Sequence, residues 1–211
     1  KGQLGFSRDE EVEIYELKDI TGLLPLSGKK ITKVSQGQNH SGVLTEDGNL
    51  IMFGSNFYGQ LGINDDTKKE NYQPIIINSY FDLDSDEIIT NFELAGYNSL
   101  ATTSKGRVFS WGYSYSAMLG HTTTSNVTKP LDITQKFSLD SNDYVKDIAT
   151  VDLKVIIHTA QGRVFVFGDS TINKSLGTDF TGRINEPLEI TDSIPLESND
   201  EIDDISVSYT H

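Results

Sequence analysis

Residues 31–62 read ITKVSQGQNHSGVLTEDGNLIMFGSNFYGQLG, and the rest of the 211-residue chain repeats parts of this stretch. Each copy closes on a Leu-Gly pair, whose glycines are Gly5, Gly62, Gly120 and Gly177. These glycines are 57, 58 and 57 residues apart, so the chain holds about 3.7 copies of one unit. A fixed period of this size indicates a repeat architecture, in which each copy is a small unit that packs on its neighbours.

Each copy is predicted to form a short antiparallel sheet. Residues 31–35 alternate apolar and polar side chains, as a half-buried strand does. Residues 41–45 and 49–53 are apolar runs on either side of Asp47-Gly48. An Asp-Gly pair between two such runs is a strong hairpin signal, because glycine adopts positive φ at little cost. The later copies keep this glycine as Gly106 and Gly162.

A shorter fourth strand is predicted near the end of each copy. The candidate segments are 73–77, 129–133 and 186–190, and they carry Pro74, Pro130 and Pro187. Proline has no N–H to donate, so we expect it at the start of a strand or on an edge strand. The first, partial copy has Leu17 near this place and no proline.

An aromatic residue directly precedes a glycine in three copies, as Phe53-Gly54, Trp111-Gly112 and Phe167-Gly168. A sheet of three or four short strands cannot bury both of its faces alone. Radial repetition solves this problem, because each sheet then packs against the next. We therefore predict that the aromatic residues form core between neighbouring sheets, and that the glycines allow close backbone approach.

These motifs resemble the repeats of the RCC1 family, named for the regulator of chromosome condensation. The family pattern has Gly-x-x-His after its first strand, a hairpin that ends in Asp-Gly-x-Val-Tyr-x-Trp-Gly, and then Asn-x-x-Gly-Gln-Leu-Gly. The copy at 31–62 matches this pattern at Gly37, His40, Asp47, Gly48, Phe53, Gly54, Asn56, Gly59, Gln60, Leu61 and Gly62. The other copies are degenerate, since the histidine position holds His40, Asn98, Lys154 and His211 in turn.

The resemblance implies an all-β fold, an RCC1-like β-propeller whose blades have three to four antiparallel strands and number seven in the ring. Seven copies would need about 400 residues, so we expect the chain to be a segment of a longer protein. We assign residues 1–211 to a single propeller segment, with repeat remnants at 1–30 and 202–211. A closed four-bladed ring is the alternative, because the two remnants together complete one repeat.

The composition is strongly acidic. Aspartate and glutamate number 31 against 17 lysines and arginines, which gives a formal net charge of −14. Such a charge repels nucleic acid and anionic membranes at long range, so we predict no direct nucleic-acid partner. The acids concentrate in three connectors, at 9–13, 82–87 and 197–204. These connectors are either solvated loops or an acidic rim that attracts a basic protein partner.

Cysteine is absent, so the sequence offers neither a disulfide framework nor a thiolate metal site. This composition fits an intracellular protein and does not distinguish cytoplasm, nucleus and cilium. The sequence contains no run of about twenty apolar residues, so we predict no membrane span.

The sequence nominates no catalytic, cofactor-binding or metal-binding residue. Its histidines are His40, His121, His158 and His211, and none forms a pair with zinc-like spacing. The first and last of them share one repeat position, which indicates an architectural role. The acidic stretch that begins at Asp82 starts like a calcium loop but lacks the central glycine and the terminal glutamate. Phosphate-binding glycine loops and nucleophile elbows are absent, so we predict no cofactor.

Two functions from different classes remain open. The first is a non-catalytic protein–protein interaction scaffold, a module of a larger protein or complex. Connectors such as the 26 residues between Gly62 and Ile89 differ while the strands repeat, and loops on a rigid scaffold are where binding residues concentrate. The resemblance implies the second, guanine-nucleotide exchange on a Ran-like small GTPase. No residue here matches the loops that family members use for exchange, and we favour the scaffold over enzymatic function.

Overall fold

The repeated stretch folds as a four-stranded antiparallel sheet in each of three successive copies. The computed structural model describes residues 2–5, 17–151, 153–171, 182–195, 202 and 205. Within these residues, three meander sheets follow one another along the chain, and we name them blades 1, 2 and 3. The prediction of an all-β fold with three to four strands per copy is confirmed, with four strands in every blade.

The twelve strands recur at the period of the sequence. Blade 1 consists of β1 (Ile31–Gln36), β2 (His40–Thr45), β3 (Leu50–Ser55) and β4 (Glu70–Ile76). Blade 2 consists of β5 (Ile89–Ala95), β6 (Asn98–Thr103), β7 (Val108–Gly112) and β8 (Val127–Asp132). Blade 3 consists of β9 (Val145–Val151), β10 (Lys154–Thr159), β11 (Val164–Asp169) and β12 (Arg183–Glu189). Single 3-10 turns lie at Thr21–Leu23, Asn78–Tyr80, Ser114–Ser116, Thr134–Phe137 and Thr191–Ser193.

The first strands of the blades lie beside one another, with β1 next to β5 and β5 next to β9. A polar ladder joins them at one repeat position. Lys33 Nζ donates a hydrogen bond to Asn91 Oδ1 over 2.7 Å, and Asn91 Nδ2 donates to Asp147 Oδ1 over 2.8 Å. The blades therefore share a common inner edge, which is the radial arrangement of a β-propeller.

Two hydrophobic clusters lie between neighbouring blades, as the sequence predicted. Trp111 is fully buried against Leu50, Met52 and Leu61 of blade 1. Phe167 is fully buried between blades 2 and 3 in a second cluster. Phe53 belongs to a third cluster, on the other side of blade 1, where residues 20–26 cover it. All three aromatic residues are core.

The glycine after each aromatic residue has no room for a side chain. A Cβ at Gly112 would lie 2.4 Å from the Tyr97 carbonyl oxygen, and one at Gly168 would lie 2.1 Å from that of Leu153. Their φ values of 115° and 126° lie in the region that favours glycine. The predicted close backbone approach is confirmed at both positions, and Gly54 has the same geometry with a φ of 113°.

The prolines lie on the outer edge strand of each blade, as predicted, although inside the strand and not at its start. In blade 1, Gly54 pairs with Asn71 and Met52 pairs with Ile75. Three residues, the last of which is Pro74, therefore face one residue of β3. Pro130 and Pro187 occupy the same bulge in blades 2 and 3. A bulge needs no ladder hydrogen bond from proline, which explains why the residue is tolerated there.

Several predictions fall outside the described residues: the closing Gly177, His211, and the acidic segments 9–13 and most of 197–204. The assignment of 1–211 to one propeller segment and the number of blades in the ring stay predictions. Among the described residues, no helix has the length and apolar character needed to cross a membrane.

Candidate protein-interaction face

The meander gives the blades two ends with different loops. One end carries the connections from the first to the second strand and from the third to the fourth, and we call it the loop face. It includes segments 37–39, 56–69, 96–97 and 113–126. The other end, the hairpin face, carries the tight turns between second and third strands and the connectors between blades. It includes 46–49, 104–107 and 160–163, with connectors 77–88 and 133–144.

Segment 56–69 of the loop face is held in place by the side chain of Asn56. Its Nδ2 donates to the carbonyl oxygens of Asp65 and Lys68, both over 2.8 Å. Its Oδ1 accepts from the Leu61 amide over 3.1 Å. Asn56 is 1% exposed, so the long loop is anchored by a buried amide with its hydrogen-bonding groups satisfied.

His40 belongs to a buried network that joins blades 1 and 2. Its Nε2 lies 3.1 Å from Ser99 Oγ, and this hydroxyl donates to the Gln60 carbonyl over 2.8 Å. Trp111 Nε1 donates to the same carbonyl over 2.9 Å. Because Ser99 gives its proton to Gln60, the network assigns the donor to His40 Nε2. Burial lowers the pKa of His40 to about 4, so the ring is neutral at physiological pH.

Four tyrosines from three loops form a continuous aromatic patch on the loop face. The ring centroid of Tyr58 lies 4.8 Å from that of Tyr97 and 4.5 Å from that of Tyr113. Tyr113 in turn lies 6.3 Å from Tyr115. The first three rings are half-buried, whereas Tyr115 is 64% exposed. The amide of Tyr113 donates to the carbonyl of Tyr97 over 3.2 Å, which ties two of the loops together.

A polar groove lies beside this patch, between the loops of blades 1 and 2. Its volume is about 420 Å³. Phe57 and Tyr58 form its aromatic wall, and Phe57 is 52% exposed. The remaining lining is polar, and includes Asp66, Lys69 and Asn126. The loop face thus combines aromatic surface with hydrogen-bonding groups.

The hairpin face contains ion pairs that repeat from blade to blade. Arg107 contacts Glu87 over 2.9 Å and Asp132 over 2.8 Å. The equivalent Arg163 contacts Glu189 over 2.8 Å and stacks on Phe165, as Arg107 does on Phe109. The Glu87 side chain is fully buried. These arginines brace the connectors against the hairpins and have a structural role.

Segment 82–87, one of the acidic connectors, is also engaged within the chain. Lys105 Nζ contacts Asp84 over 2.9 Å and Asp86 over 2.5 Å. The hydrogen bond from Lys105 holds the pKa of Asp86 below its usual value. Among the described residues, no group of three or more histidine, aspartate and glutamate side chains could hold a metal ion. This segment is a connector whose charge is partly neutralised by its own chain.

Comparison with known sequences identifies the repeat. Residues 31–60 match the family model described as the regulator of chromosome condensation (RCC1) repeat. The same four-stranded unit recurs in blades 2 and 3 at the sequence period. Residues 31–60 are therefore an RCC1 repeat, and blades 2 and 3 repeat its four-stranded unit.

The chain is also similar in sequence to parts of longer proteins. The human X-linked retinitis pigmentosa GTPase regulator is 31% identical over 133 residues, which are 63% of this chain and 12% of that protein. The human probable E3 ubiquitin-protein ligase HERC4 is 29% identical over 192 residues, which are 90% of this chain and 17% of that protein. The matched region is therefore a small part of each of these long relatives.

Solved RCC1 structures share the fold. The Prp20p protein of Saccharomyces cerevisiae superimposes with a TM-score of 0.63 at 18% identity, covering 76% of this chain and 38% of that one. That yeast protein is described as having binding properties to Gsp1p and histones. At this identity the likeness shows the β-propeller fold alone, and the fold expected from the sequence is confirmed.

The RCC1 motif residues are structural here. A Cβ at Gly37 would lie 2.2 Å from His40 Cε1, so glycine is required because histidine follows three residues later. Where Asn98 replaces the histidine, the glycine position holds Ala95. In blades 2 and 3 both positions change together, to Ala95 with Asn98 and to Val151 with Lys154. Of the other histidines, His158 is buried in β10, and His121 lies in loop 113–126.

Sequence reasoning missed the tyrosine patch. The four tyrosines occupy four different positions of the repeat, and only the position of Tyr115 is aromatic in another copy, as Phe57, so comparing copies did not bring them together. A search for aromatic residues that directly follow any glycine at the end of a strand would have found Tyr97, after Gly96, and Tyr113, after Gly112.

Proposed function

We propose that this chain is a non-catalytic protein–protein interaction scaffold, a module of a larger protein or complex, which binds its partner through the loop face. The patch of Tyr58, Tyr97, Tyr113 and Tyr115 carries this proposal. Tyrosine is enriched in interfaces, because it supplies a large rigid contact area together with a hydroxyl group. In a chain that lacks cysteine, we place this interaction inside the cell.

The patch rests on an ordered base, which favours binding. Buried Asn56 anchors one loop, and the bond from the Tyr113 amide to the Tyr97 carbonyl links two others. Loops that are fixed before binding lose less conformational entropy when a partner arrives. Exposed aromatic residues on such loops are therefore suited to a specific protein contact.

The charged groups of the hairpin face are less available to a partner, which also favours the loop face as the binding surface. The charged side chains around Arg107 and Arg163 are already engaged with carboxylates of their own blades. A partner would have to break these pairs before using the same groups. Replacing an ion pair within the chain by a contact with the partner gains little binding free energy, because each bond lost offsets one new contact.

A photo-crosslinking experiment tests the choice of face. The photoreactive residue benzoylphenylalanine replaces Tyr115 on the loop face in one variant of the full-length protein, and Tyr144 on the hairpin face in the other. The exposed fractions of these tyrosines are 64% and 52%, so both positions are accessible. We expect a partner to be crosslinked in cells from position 115 and not from position 144. Crosslinking from position 144 alone would reject the proposal.

A purified complex then tests the patch itself. Replacing both Tyr97 and Tyr113 by serine is expected to weaken binding of the crosslinked partner at least about tenfold, since buried aromatic anchors dominate interface energy. Tyr144→Ser is the matched control on the hairpin face. Circular dichroism and thermal unfolding establish that each variant keeps its fold. Unchanged affinity in a folded double variant would exclude the tyrosine patch as the contact.

A second candidate is guanine-nucleotide exchange on a Ran-like small GTPase. It is favoured by the 31% identity to a human protein whose name describes a GTPase regulator. The test is release of mant-GDP from Ran and from a panel of other small GTPases. Acceleration at sub-stoichiometric amounts of the chain would establish exchange and replace the pure scaffold. Absence of acceleration beside stable binding of another partner would remove the exchange hypothesis.

A further inference from the structure

The strand register makes the two blade junctions of the loop face comparable residue by residue. Asn126 and Arg183 are equivalent, because each directly precedes the outer-strand residue that pairs with the glycine of the aromatic–glycine motif. Phe57 and Tyr115 are equivalent as well, because each stands three residues after that glycine. The junction of blades 1 and 2 therefore has Phe57 and Asn126 where the junction of blades 2 and 3 has Tyr115 and Arg183.

The junction of blades 2 and 3 contains its own cation. The guanidinium carbon of Arg183 lies 4.0 Å from the centre of the Tyr115 ring. Arg183 Nε also donates to Asp169 Oδ2 over 3.1 Å. The arginine is thus stacked on an aromatic face and paired with a carboxylate, a combination that stabilises a cation at a protein surface.

The junction of blades 1 and 2 has the same aromatic position without this arginine. Phe57 is 52% exposed and lines the groove of about 420 Å³, and Asn126 stands at the position equivalent to Arg183. Asn126 Oδ1 accepts from the Ser114 amide over 3.1 Å and from its hydroxyl over 3.3 Å. The asparagine is therefore held by its own blade, and the ring of Phe57 remains available.

The groove also contains a carboxylate that suits a cation. Asp66 lines the groove, and within the described part of the chain no hydrogen bond or ion pair engages its carboxylate. Lys69, the cation of the lining, donates to the backbone carbonyl of Asp66. The chain as a whole carries a net charge of −14, which attracts basic partners at long range.

We propose that this groove binds the guanidinium group of a partner arginine, stacked on Phe57 and paired with Asp66. The inference names the partner chemistry of the loop face and therefore rests on the proposed function. Arginine fits better than lysine, because its planar group stacks on a ring while its N–H groups reach a carboxylate. The partner is accordingly a protein with an exposed arginine-bearing segment.

The binding test uses fluorescein-labelled peptides of four residues, measured by fluorescence polarisation at an ionic strength of about 0.15 M, where long-range attraction is screened. Tetra-arginine is compared with tetra-citrulline, which keeps the planar shape without the charge, and with tetra-lysine. Tetra-glutamate tests the opposite case, an anion held by Lys69. We expect tetra-arginine to bind about tenfold more tightly than tetra-citrulline and several-fold more tightly than tetra-lysine.

Two variants with the same change of charge locate the site. Asn126→Arg supplies the arginine that blade 3 already has, and is expected to weaken tetra-arginine binding about tenfold by occupying the groove. Asn49→Arg is the matched control on the hairpin face, where the sister blades have Arg107 and Arg163. We expect this control to change binding less than about twofold, since that face is far from the groove.

A second pair of variants keeps the test decisive if Asn126→Arg disturbs its loop. Phe57→Ser removes the stacking ring, whereas Tyr144→Ser removes an equally exposed ring from the hairpin face, since both residues are 52% exposed. Loss of binding in the first variant alone supports the site. Equal losses in the two arginine variants show attraction by net charge, and equal losses in the two serine variants show an effect that is not specific to the groove. Either result overturns the inference.

A preference for tetra-glutamate would also overturn it, because the groove would then be an anion site. The proposed function and the arginine inference can fail independently of each other. If the crosslinked partner still depends on Tyr97 and Tyr113 while Asn126→Arg has no effect on its binding, the loop face stands as the interface and the arginine inference falls.

Discussion

The neutral histidine between blades 1 and 2 predicts a defined loss of stability in mild acid. Burial lowers the pKa of His40 to about 4 in the folded chain, from 6.5 for an exposed ring. The unfolded chain therefore binds a proton at a higher pH than the folded chain does. This contribution to stability is complete above pH 6.5 and is lost progressively as the pH falls towards 4. The full difference corresponds to about 3 kcal/mol, at 1.36 kcal/mol for each pKa unit.

Between pH 7 and pH 5, His40 alone is expected to lower the free energy of unfolding by about 2 kcal/mol. The reference is His40→Asn, which does not titrate and reproduces the residue that blade 2 has as Asn98. Carboxylates titrate equally in both proteins, so their effect cancels in the difference. Urea unfolding reports the result through the fluorescence of Trp111, the single tryptophan, which hydrogen-bonds within the same network.

The variant is expected to be less stable than the parent chain at pH 7, and the gap should narrow as the pH falls to 5. The pH dependence is the decisive readout, because any substitution in a buried network lowers stability at one pH. Parallel curves, with a gap that changes by less than about 0.5 kcal/mol over this range, would refute a neutral buried His40.

Two further predictions concern the hairpin face. Gly106→Ala should lower the free energy of unfolding in urea by about 1–2 kcal/mol more than Gly162→Ala does. Both glycines have φ near 75°, so the backbone strain is alike. A Cβ at Gly106 would lie 2.4 Å from Tyr144 Cβ, whereas a Cβ at Gly162 would meet open space. Equal losses would mean that positive φ alone sets the cost. Arg107→Met should cost about 2–3 kcal/mol, because it leaves the buried carboxylate of Glu87 without its cation. Adding Glu87→Leu should recover part of this loss, and a double variant less stable than the single one would contradict the pairing.

Much of the fold could be predicted, because the residues that build a blade recur at a fixed spacing. The clash that forbids a side chain at Gly112 arises within one hairpin, so the aromatic–glycine pair is a local signal. The role of Gly37 was harder to assign, since only the structure shows that its missing Cβ makes room for the ring of His40. Local constraints repeat in the sequence and can therefore be found there.

The candidate site could not be predicted in the same way. Tyr58, Tyr97 and Tyr113 come from separate loops. Strand pairing within blade 2 brings Tyr97 beside Tyr113, and only the packing of blade 1 on blade 2 adds the ring of Tyr58. The acidic segment 82–87 shows the same difficulty. Whether it is free to attract a partner depends on Lys105, which lies about twenty residues away in sequence and is brought beside it by the hairpin. The number of charged residues in a segment does not reveal these ion pairs.

The polar ladder on the inner strands has a consequence for how the repeats find their places. Lys33, Asn91 and Asp147 occupy one repeat position, and the middle amide accepts from the lysine while donating to the aspartate. Three lysines or three aspartates at this position would set like charges side by side. Here blade 1 has a cation, blade 2 an amide and blade 3 an anion, so each blade presents a different group to the blade beside it. We expect these differences to favour the native order of the blades over exchange of blades between chains, a known failure of repeat proteins.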